Sequence, residues 1–180
     1  DCAEGYAHFP GGAGCEPVGR ACPAGDWPDD LPAGAVYVRA SEPVGGDGTR
    51  ARPFGTIAAA LPAAPDRGTV ALSRGRFDEA VAPTRSVTIR GACAAATMLT
   101  LTSAAQAVVV ITTGEVTLAD LSIGEADVPG VRVASAASNV RLDGVVVSGA
   151  ADVGVVVGDG AVLSAAAQLF RRKGFAATTT

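Results

Sequence analysis

Hydrophobic positions from residue 68 onward recur with the spacing of β-strands. Short runs rich in β-branched residues are separated by Gly, Ser, Asn and Asp, and they cover residues 69–72, 87–89, 98–101 and 108–111. Runs of this length bounded by turn residues predict buried or half-buried strands. A further run at 36–38 predicts an earlier strand, and no helical pattern intervenes between 68 and about 160.

The strand pattern contains an internal repeat of 24 residues. The apolar positions of 116–123 match those of 140–147, and 130–133 match 154–157 at the same offset. A third copy is expected to begin at Val162, after 22 residues, and an earlier one at Val87. A period of 22–24 without a helix in the unit predicts an all-β fold, a right-handed parallel β-helix or solenoid, in which Val131, Val133 and their partners stack into ladders. A leucine-rich repeat is the alternative, but its Asn position is not matched.

Two segments carry helical spacing instead. Apolar residues three and four apart from Phe54 to Ala64 predict a short helix over 54–61, with Pro53 at its start. A second apolar stripe from Leu163 to Phe170, followed by basic residues and Gly174, predicts a short C-terminal helix and tail over 165–180. Residues 1–34 are irregular, so the predicted organisation is 1–34, 35–164 and 165–180.

Composition narrows the class of protein. The 180 residues carry a net charge of −4, and 48% are hydrophobic while only 4% are aromatic, which suits close-stacked β layers of Ala, Val and Gly. No block of like charges forms a nucleic-acid-binding arm, and no apolar run is long enough to span a membrane. Because the chain starts at Asp1 without a leader pattern, we expect a signal peptide to have been removed or not included.

Residues 36–164 resemble pectate-lyase-like, right-handed parallel β-helix repeat proteins of the bacterial secreted or surface type. The matching pieces are 36–38, 45–49, 52–57, 58–61, 68–70, 75–79 and 87–93, followed by the repeats. The resemblance implies a first strand, a Gly/Asp loop, a capping helix and the entry into the first coil. It also implies a functionally mixed group, with polysaccharide lyases and hydrolases beside surface proteins of no known activity. Residues 161–180 resemble the first helix of TetR-family regulators, without the helix-turn-helix that should follow.

The four cysteines predict disulfides and an oxidising compartment. A metal site is the alternative, but no Cys-x-x-Cys pair is present and His8 is the only histidine. Four cysteines allow three pairings. We expect Cys2 with Cys15 and Cys22 with Cys93, which would tie the N-terminal segment to the first coil. We expect Tyr6 and Trp27 to pack that segment onto the body rather than to bind sugar.

The acidic residues of the repeats do not predict a catalytic site. At the 24-residue offset Asp120 stacks on Gly144 and Glu125 on Gly149, while Arg141 stacks on Thr117 and Arg132 on Val156. No two acids share a ladder position, as Ca²⁺ binding or paired-carboxylate hydrolysis would require. We therefore expect the charged residues to be scattered over the outer face. The candidates considered are Asp120, Glu125, Asp127, Asp143 and Asp152.

The glycine-rich loop at 45–49 precedes the predicted helix, but it lacks the Lys and glycine spacing of a phosphate-binding loop. We expect its glycines to let the backbone turn tightly. No cofactor is predicted, and Ca²⁺ is the alternative. Asp47 is a candidate ligand for a cation in this loop, but it is a single carboxylate. The predicted function is a non-catalytic secreted or cell-surface (periplasmic or extracellular) scaffold or glycan-binding domain, with polysaccharide or cell-surface glycan as partner and the oligomeric state left open. The alternatives are a truncated polysaccharide lyase or glycoside hydrolase whose active coils lie beyond residue 164 and, from the tail alone, a DNA-binding regulator.

Overall fold

A computed structural model describes residues 2–43, 45–103, 105–134, 138–150, 154–166 and 169–171. One helix and fourteen strands are assigned within these ranges. They are β1 (Tyr6–His8), β2 (Cys15–Pro17), β3 (Val36–Val38), α1 (Ile57–Ala63), β4 (Gly68–Leu72), β5 (Gly75–Asp78), β6 (Val87–Arg90), β7 (Thr97–Thr100), β8 (Val109–Ile111), β9 (Gly114–Ala126), β10 (Val131–Val133), β11 (Ser138–Ala150), β12 (Val155–Val157), β13 (Val162–Ala166) and β14 (Leu169–Arg171).

The strands of the described residues form three separate sheets of two pairing types. Strands β1 and β2 are an antiparallel pair, and β8, β10 and β12 form a small parallel sheet. The largest sheet is also parallel and has the order β3-β4-β6-β9-β11-β13, with β5, β7 and β14 paired alongside. Parallel strands need long connections. Helix α1 lies in the connection between β3 and β4, and strands β9 and β11 of the largest sheet lie in the connections between β8, β10 and β12.

The 24-residue repeat register is confirmed by the strand pairing. In the β9–β11 pair, Val116 faces Val140 and Ile123 faces Val147. In the β10–β12 pair, Val131 faces Val155. Val87 faces Val116, as expected for the earlier copy. The last copy is shifted by one residue from the prediction, because Val140 faces Leu163 and not Val162.

Left-handed residues interrupt both long strands at equivalent positions. Asp120 and Glu125 in β9 have φ of 52° and 51°, and Gly144 and Gly149 in β11 have φ of 62° and 61°. These are the positions that the β9–β11 register skips. The bend at Asp120 changes which side of the strand faces inward, so Leu118 and Leu121, three residues apart, are both fully buried. A strand without the bend would alternate strictly.

The main core lies between the two parallel sheets and consists of aliphatic residues in register. Val70, Ile89, Leu118 and Leu142 face one another across β4, β6, β9 and β11, and all four are fully buried. Burial of one such side chain stabilises the fold by about 1.5–3 kcal/mol.

Helix α1 begins where two side chains satisfy its first amides. Thr56 is the N-cap, and its hydroxyl accepts a hydrogen bond from Ala59 N at 3.2 Å. The Glu79 carboxylate accepts hydrogen bonds from Ile57 N and Ala58 N, at 2.8 and 2.9 Å. Free amides at a helix start need such acceptors. The helix predicted over 54–61 is present, but it spans Ile57–Ala63. It packs against β3 and β4.

The N-terminal segment is attached to the body at several points. Disulfide bonds join Cys2 to Cys15 and Cys22 to Cys93, the same pairs that the sequence analysis expected. Arg74 donates hydrogen bonds to the carbonyls of Pro23 and Gly25. These contacts fix a segment that has few regular elements of its own.

Trp27 is the aromatic anchor of this segment. Its side chain is 5% exposed and makes an edge-to-face contact with Tyr37 of β3, with ring centroids 5.0 Å apart. The Arg39 guanidinium lies 5.1 Å from the Trp27 ring centroid. The prediction that Trp27 packs the segment onto the body is confirmed.

The fold-class prediction is wrong. The prediction was an all-β, right-handed parallel β-helix with helices at both ends. The described residues instead combine an antiparallel pair, two separate parallel sheets and one seven-residue helix, an α/β-type set of elements. Helix α1 is an internal connection between β3 and β4 rather than an N-terminal cap. Repeat spacing alone could not predict the antiparallel pair, because residues 2–34 carry no periodic pattern.

The predicted C-terminal helix over 165–180 is also wrong for the residues that the structure describes. Residues Val162–Ala166 and Leu169–Arg171 are strands that pair in parallel with β11. Pairing with an existing strand overrides the helical spacing, because tertiary contacts outweigh local propensity. Residues 167, 168 and 172–180 lie outside the described residues.

Candidate functional site

A row of polar side chains crosses the outer face of the largest parallel sheet. Thr69, Thr88, Thr117, Arg141 and Ser164 face one another in register on β4, β6, β9, β11 and β13. The first three are half-buried, and Arg141 and Ser164 are exposed. Because side chains of a strand alternate between faces, the apolar neighbours of this row point into the core.

At one end of this row the surface forms an open groove of about 230 Å³. Strands β9, β11 and β13 all contribute to it, and we call it the polar groove. It is lined by Glu115, Val116, Thr117, Asn139, Val140, Arg141 and Ser164. The 24-residue register places Glu115 opposite Asn139 and Thr117 opposite Arg141, so each repeat supplies a matching pair of polar groups.

Charges of both signs meet at the polar groove. The Glu115 carboxylate lies 3.1 Å from Nη2 of Arg67, and Nη2 of Arg141 lies 3.3 Å from Oδ2 of Asp143. All four side chains are about half exposed or more, so the ion pairs contribute little to stability and can rearrange around a ligand. The prediction that Arg141 stacks on Thr117 is confirmed.

Asp47 of the glycine-rich loop contacts other residues of the same loop. Oδ1 of Asp47 accepts hydrogen bonds from the amide and hydroxyl of Thr49, at 3.0 and 2.7 Å, and Oδ2 lies 3.3 Å from Arg52. The hydrogen bond from the Thr49 hydroxyl is the main reason that the pKa of Asp47 lies below its usual value. A β-carbon on Gly46 would lie 1.9 Å from the Pro53 carbonyl oxygen, so the glycine serves close backbone packing.

Asp120 lies inside the structure, which corrects the prediction that the acids of the repeats are scattered over the outer face. Its side chain is 8% exposed and its Oδ2 lies 3.2 Å from Nε of Arg90, itself 12% exposed. Oδ1 accepts a hydrogen bond from Arg20 N at 2.9 Å. Asp120 thus joins the N-terminal segment to β6 and β9.

The other candidate acids lie apart from one another. The Glu125 carboxylate pairs with Arg76, and a hydrogen bond from that guanidinium lowers the pKa of Glu125 and raises that of Arg76. Asp143 faces Ala119 and pairs with Arg141. Asp127 is exposed beyond the end of β9, and Asp152 lies outside the described residues. Arg132 is exposed on β10 and faces Val156, as predicted.

His8 lies beside the Cys2–Cys15 disulfide, an arrangement that was not predicted from the sequence. In the antiparallel pair β1–β2, His8 faces Cys15, and its Nε2 lies 3.8 Å from the Cys15 sulfur. The signal was present in the sequence, because a glycine-rich stretch at 11–14 separates the two residues as a hairpin turn would.

Comparisons with protein-family models, with curated proteins and with solved structures find no match for this chain. The resemblance to pectate-lyase-like repeat proteins therefore remains an expectation from the sequence. In the described part of the chain, no helix has the length and apolar character needed to cross a membrane. The two disulfides are compatible with a secreted protein.

Proposed function

We propose that this protein is a non-catalytic, secreted or cell-surface scaffold that binds a neutral glycan in the polar groove. The observation that carries the proposal is the in-register pairing of Glu115 with Asn139 and of Thr117 with Arg141 along one open groove. Secretion rests on the two disulfides, which persist in oxidising compartments.

The polar groups of the groove complement sugar hydroxyls, which both donate and accept hydrogen bonds. The Glu115 carboxylate accepts, the Arg141 guanidinium donates, and the Asn139 amide does both. Opposite charges balance at the groove, since Arg67 lies at Glu115 and Asp143 at Arg141. A polyanion would gain little from such a surface, so the charge balance favours an uncharged saccharide.

The groove favours binding over cleavage. Glycoside hydrolysis uses two carboxyl groups that flank the scissile bond. Among the described residues that line the groove, Glu115 is the only acid. A hard-cation site needs several converging oxygen ligands, and Glu115 alone does not supply them. Neither a lyase or hydrolase fragment nor a DNA-binding regulator draws support from the described residues.

A glycan array carrying neutral and acidic polysaccharides tests the proposal, followed by calorimetry with the saccharide that binds. A hydrogen bond to a charged group contributes about 1.5–3 kcal/mol, so Arg141→Ala should weaken binding about tenfold or more. Asn139→Ala should weaken binding less. Arg132→Ala removes an exposed arginine from β10, outside the groove, and should leave the affinity unchanged.

Two results would overturn the proposal. One is an array on which no neutral glycan binds the folded protein. The other is equal loss of affinity in the Arg141 and Arg132 variants, because binding would then depend on general surface charge rather than on the groove.

A further inference from the structure

The Cys2–Cys15 disulfide and His8 bring three metal-binding side chains together. Their sulfur and imidazole nitrogen atoms all lie within 4.8 Å of one another. In the described part of the chain, no other group of three or more His, Cys, Asp or Glu side chains is so arranged. Two thiolates and an imidazole are the ligands that Zn²⁺ prefers.

We propose that reduction of this disulfide creates a site for a borderline-soft divalent cation of the Zn²⁺ type. Cys2, Cys15 and His8 would supply three ligands of a tetrahedral site and leave the fourth position to water. The oxidised hairpin has no thiolate and does not bind the ion, so the site is controlled by the redox state. This inference is independent of the glycan-binding proposal.

The hairpin already holds part of the required geometry. With metal–sulfur and metal–nitrogen distances of about 2.3 and 2.0–2.1 Å, tetrahedral angles put a sulfur and a nitrogen ligand about 3.6 Å apart. His8 Nε2 and the Cys15 sulfur are 3.8 Å apart. Once the disulfide is broken, two thiolates on one metal lie about 3.8 Å apart, a separation that side-chain rotation can reach.

The backbone register holds His8 and Cys15 in place without the disulfide. His8 and Cys15 are directly opposite each other on β1 and β2. Val18 next to β2 is fully buried in a small apolar cluster with Ala7 and Val146, so packing against β11 secures the hairpin. Cys2 is 7% exposed whereas His8 and Cys15 are exposed, which leaves one side of the site open to an incoming ion.

The reaction balances with a dithiol as reductant. The dithiol gives two electrons and two protons to the Cys2–Cys15 bond, becomes a cyclic disulfide, and leaves two thiols. Binding of the cation then releases both thiol protons, because the thiolate is the ligand. In the second disulfide, Cys22–Cys93, the residue Cys93 is only 1% exposed. We therefore expect a mild reductant to open this disulfide after Cys2–Cys15.

The test titrates the full chain with Zn²⁺, and with Co²⁺ as a spectroscopic probe, before and after mild reduction. Alkylation and mass spectrometry first establish that Cys2 and Cys15 are free while Cys22 and Cys93 remain linked. We expect one ion per chain after reduction only, thiolate-to-cobalt absorption, and protection of both thiols from alkylation. His8→Gln should weaken binding at least about tenfold.

Three outcomes would overturn the proposal. These are no binding when the two thiols are free, equal binding to the oxidised chain, and unchanged affinity in the His8→Gln variant. The Cys22→Ser/Cys93→Ser double variant provides an independent test when it folds. After reduction only the Cys2 and Cys15 thiols remain, so metal binding can be assigned to them. If the double variant does not fold, stepwise reduction of the unmodified chain still decides the question.

Discussion

Asp120 and Gly144 occupy equivalent positions of two adjacent repeats, and both have a left-handed backbone, with φ of 52° and 62°. The side chain of Asp120 reaches toward Gly144 and Gly19 at the point where the N-terminal segment crosses β9 and β11. One bend of the strand therefore serves two purposes. It turns both repeats in the same way, and it provides the place where the N-terminal segment is attached.

Gly144→Ala should destabilise the protein more than Gly149→Ala. Both glycines are left-handed, so each alanine costs about 1–2 kcal/mol. At Gly144 the new β-carbon would also lie 2.6 Å from the Gly19 α-carbon, whereas at Gly149 its nearest contact is 3.2 Å. Urea unfolding should show at least about 1 kcal/mol of additional loss at Gly144. Equal losses would mean that the close approach of Gly19 is absent.

Asp120→Asn should be strongly destabilising, because it leaves the nearly buried Arg90 without a counter-charge. Breaking a buried ion pair costs about 3–5 kcal/mol. The matched control is Asp143→Asn, whose pair with Arg141 is about half exposed and should cost about 1 kcal/mol or less. Chemical unfolding measures both. Similar small losses in the two variants would contradict the burial of the Asp120–Arg90 pair.

Stability should fall in acid partly through Asp78. Its carboxylate accepts hydrogen bonds from the Thr102 hydroxyl and amide, at 2.6 and 2.9 Å, which lower its pKa in the folded state. The unfolded chain then binds the proton more readily, so the stabilisation is present above the unfolded pKa and is lost as pH falls through the folded one. Asp78→Asn and Thr102→Val should both flatten the decline in urea midpoint below about pH 4. Unchanged slopes in both variants would refute this assignment.

Mass spectrometry without reductant should find all four cysteines blocked, in the peptides Cys2–Cys15 and Cys22–Cys93. Cys22 and Cys93 are 71 residues apart in sequence, whereas Cys2 and Cys15 are only 13 apart. Because a longer closed loop gives more stabilisation, replacing Cys22 and Cys93 by serines should lower the free energy of unfolding by about 4 kcal/mol, and replacing Cys2 and Cys15 by about 3 kcal/mol. Four alkylatable thiols, or peptides joined in another pattern, would argue against the attachment of the N-terminal segment described above.

The sequence was most informative where a residue pairs with the equivalent residue of the adjacent repeat. The positions that face Val116, Leu118 and Val131 follow from the 24-residue offset, because parallel strands of one sheet place equivalent residues side by side. The spacing did not define the fold class, since the antiparallel hairpin lies in a segment with no period. For the last copy the spacing was wrong by one residue, since Val140 faces Leu163 and not Val162. The helical spacing failed for Leu169–Arg171, which pairs with β11 as a strand.

The candidate sites depended on contacts that no local pattern encodes. Asp120 resembles any surface acid in the sequence, and its burial depends on Arg20, 100 residues away, and on Arg90. The polar groove needs a third strand, β13, which begins at Val162 where a third repeat copy was predicted, but its register with β11 is shifted by one residue from that prediction. The two cysteine pairs agree with the expectation, but the neighbour of one of them, His8, required the hairpin register.

Binding of a neutral glycan in the polar groove can be measured residue by residue, by NMR titration of the isotopically labelled protein with a saccharide that binds on the array. We expect amide shifts to concentrate at residues 115–117, 139–141 and 164, with a titration midpoint at least about tenfold higher in Arg141→Ala and unchanged in Arg132→Ala. Shifts centred on other residues, or a titration that leaves these amides unchanged, would contradict this expectation.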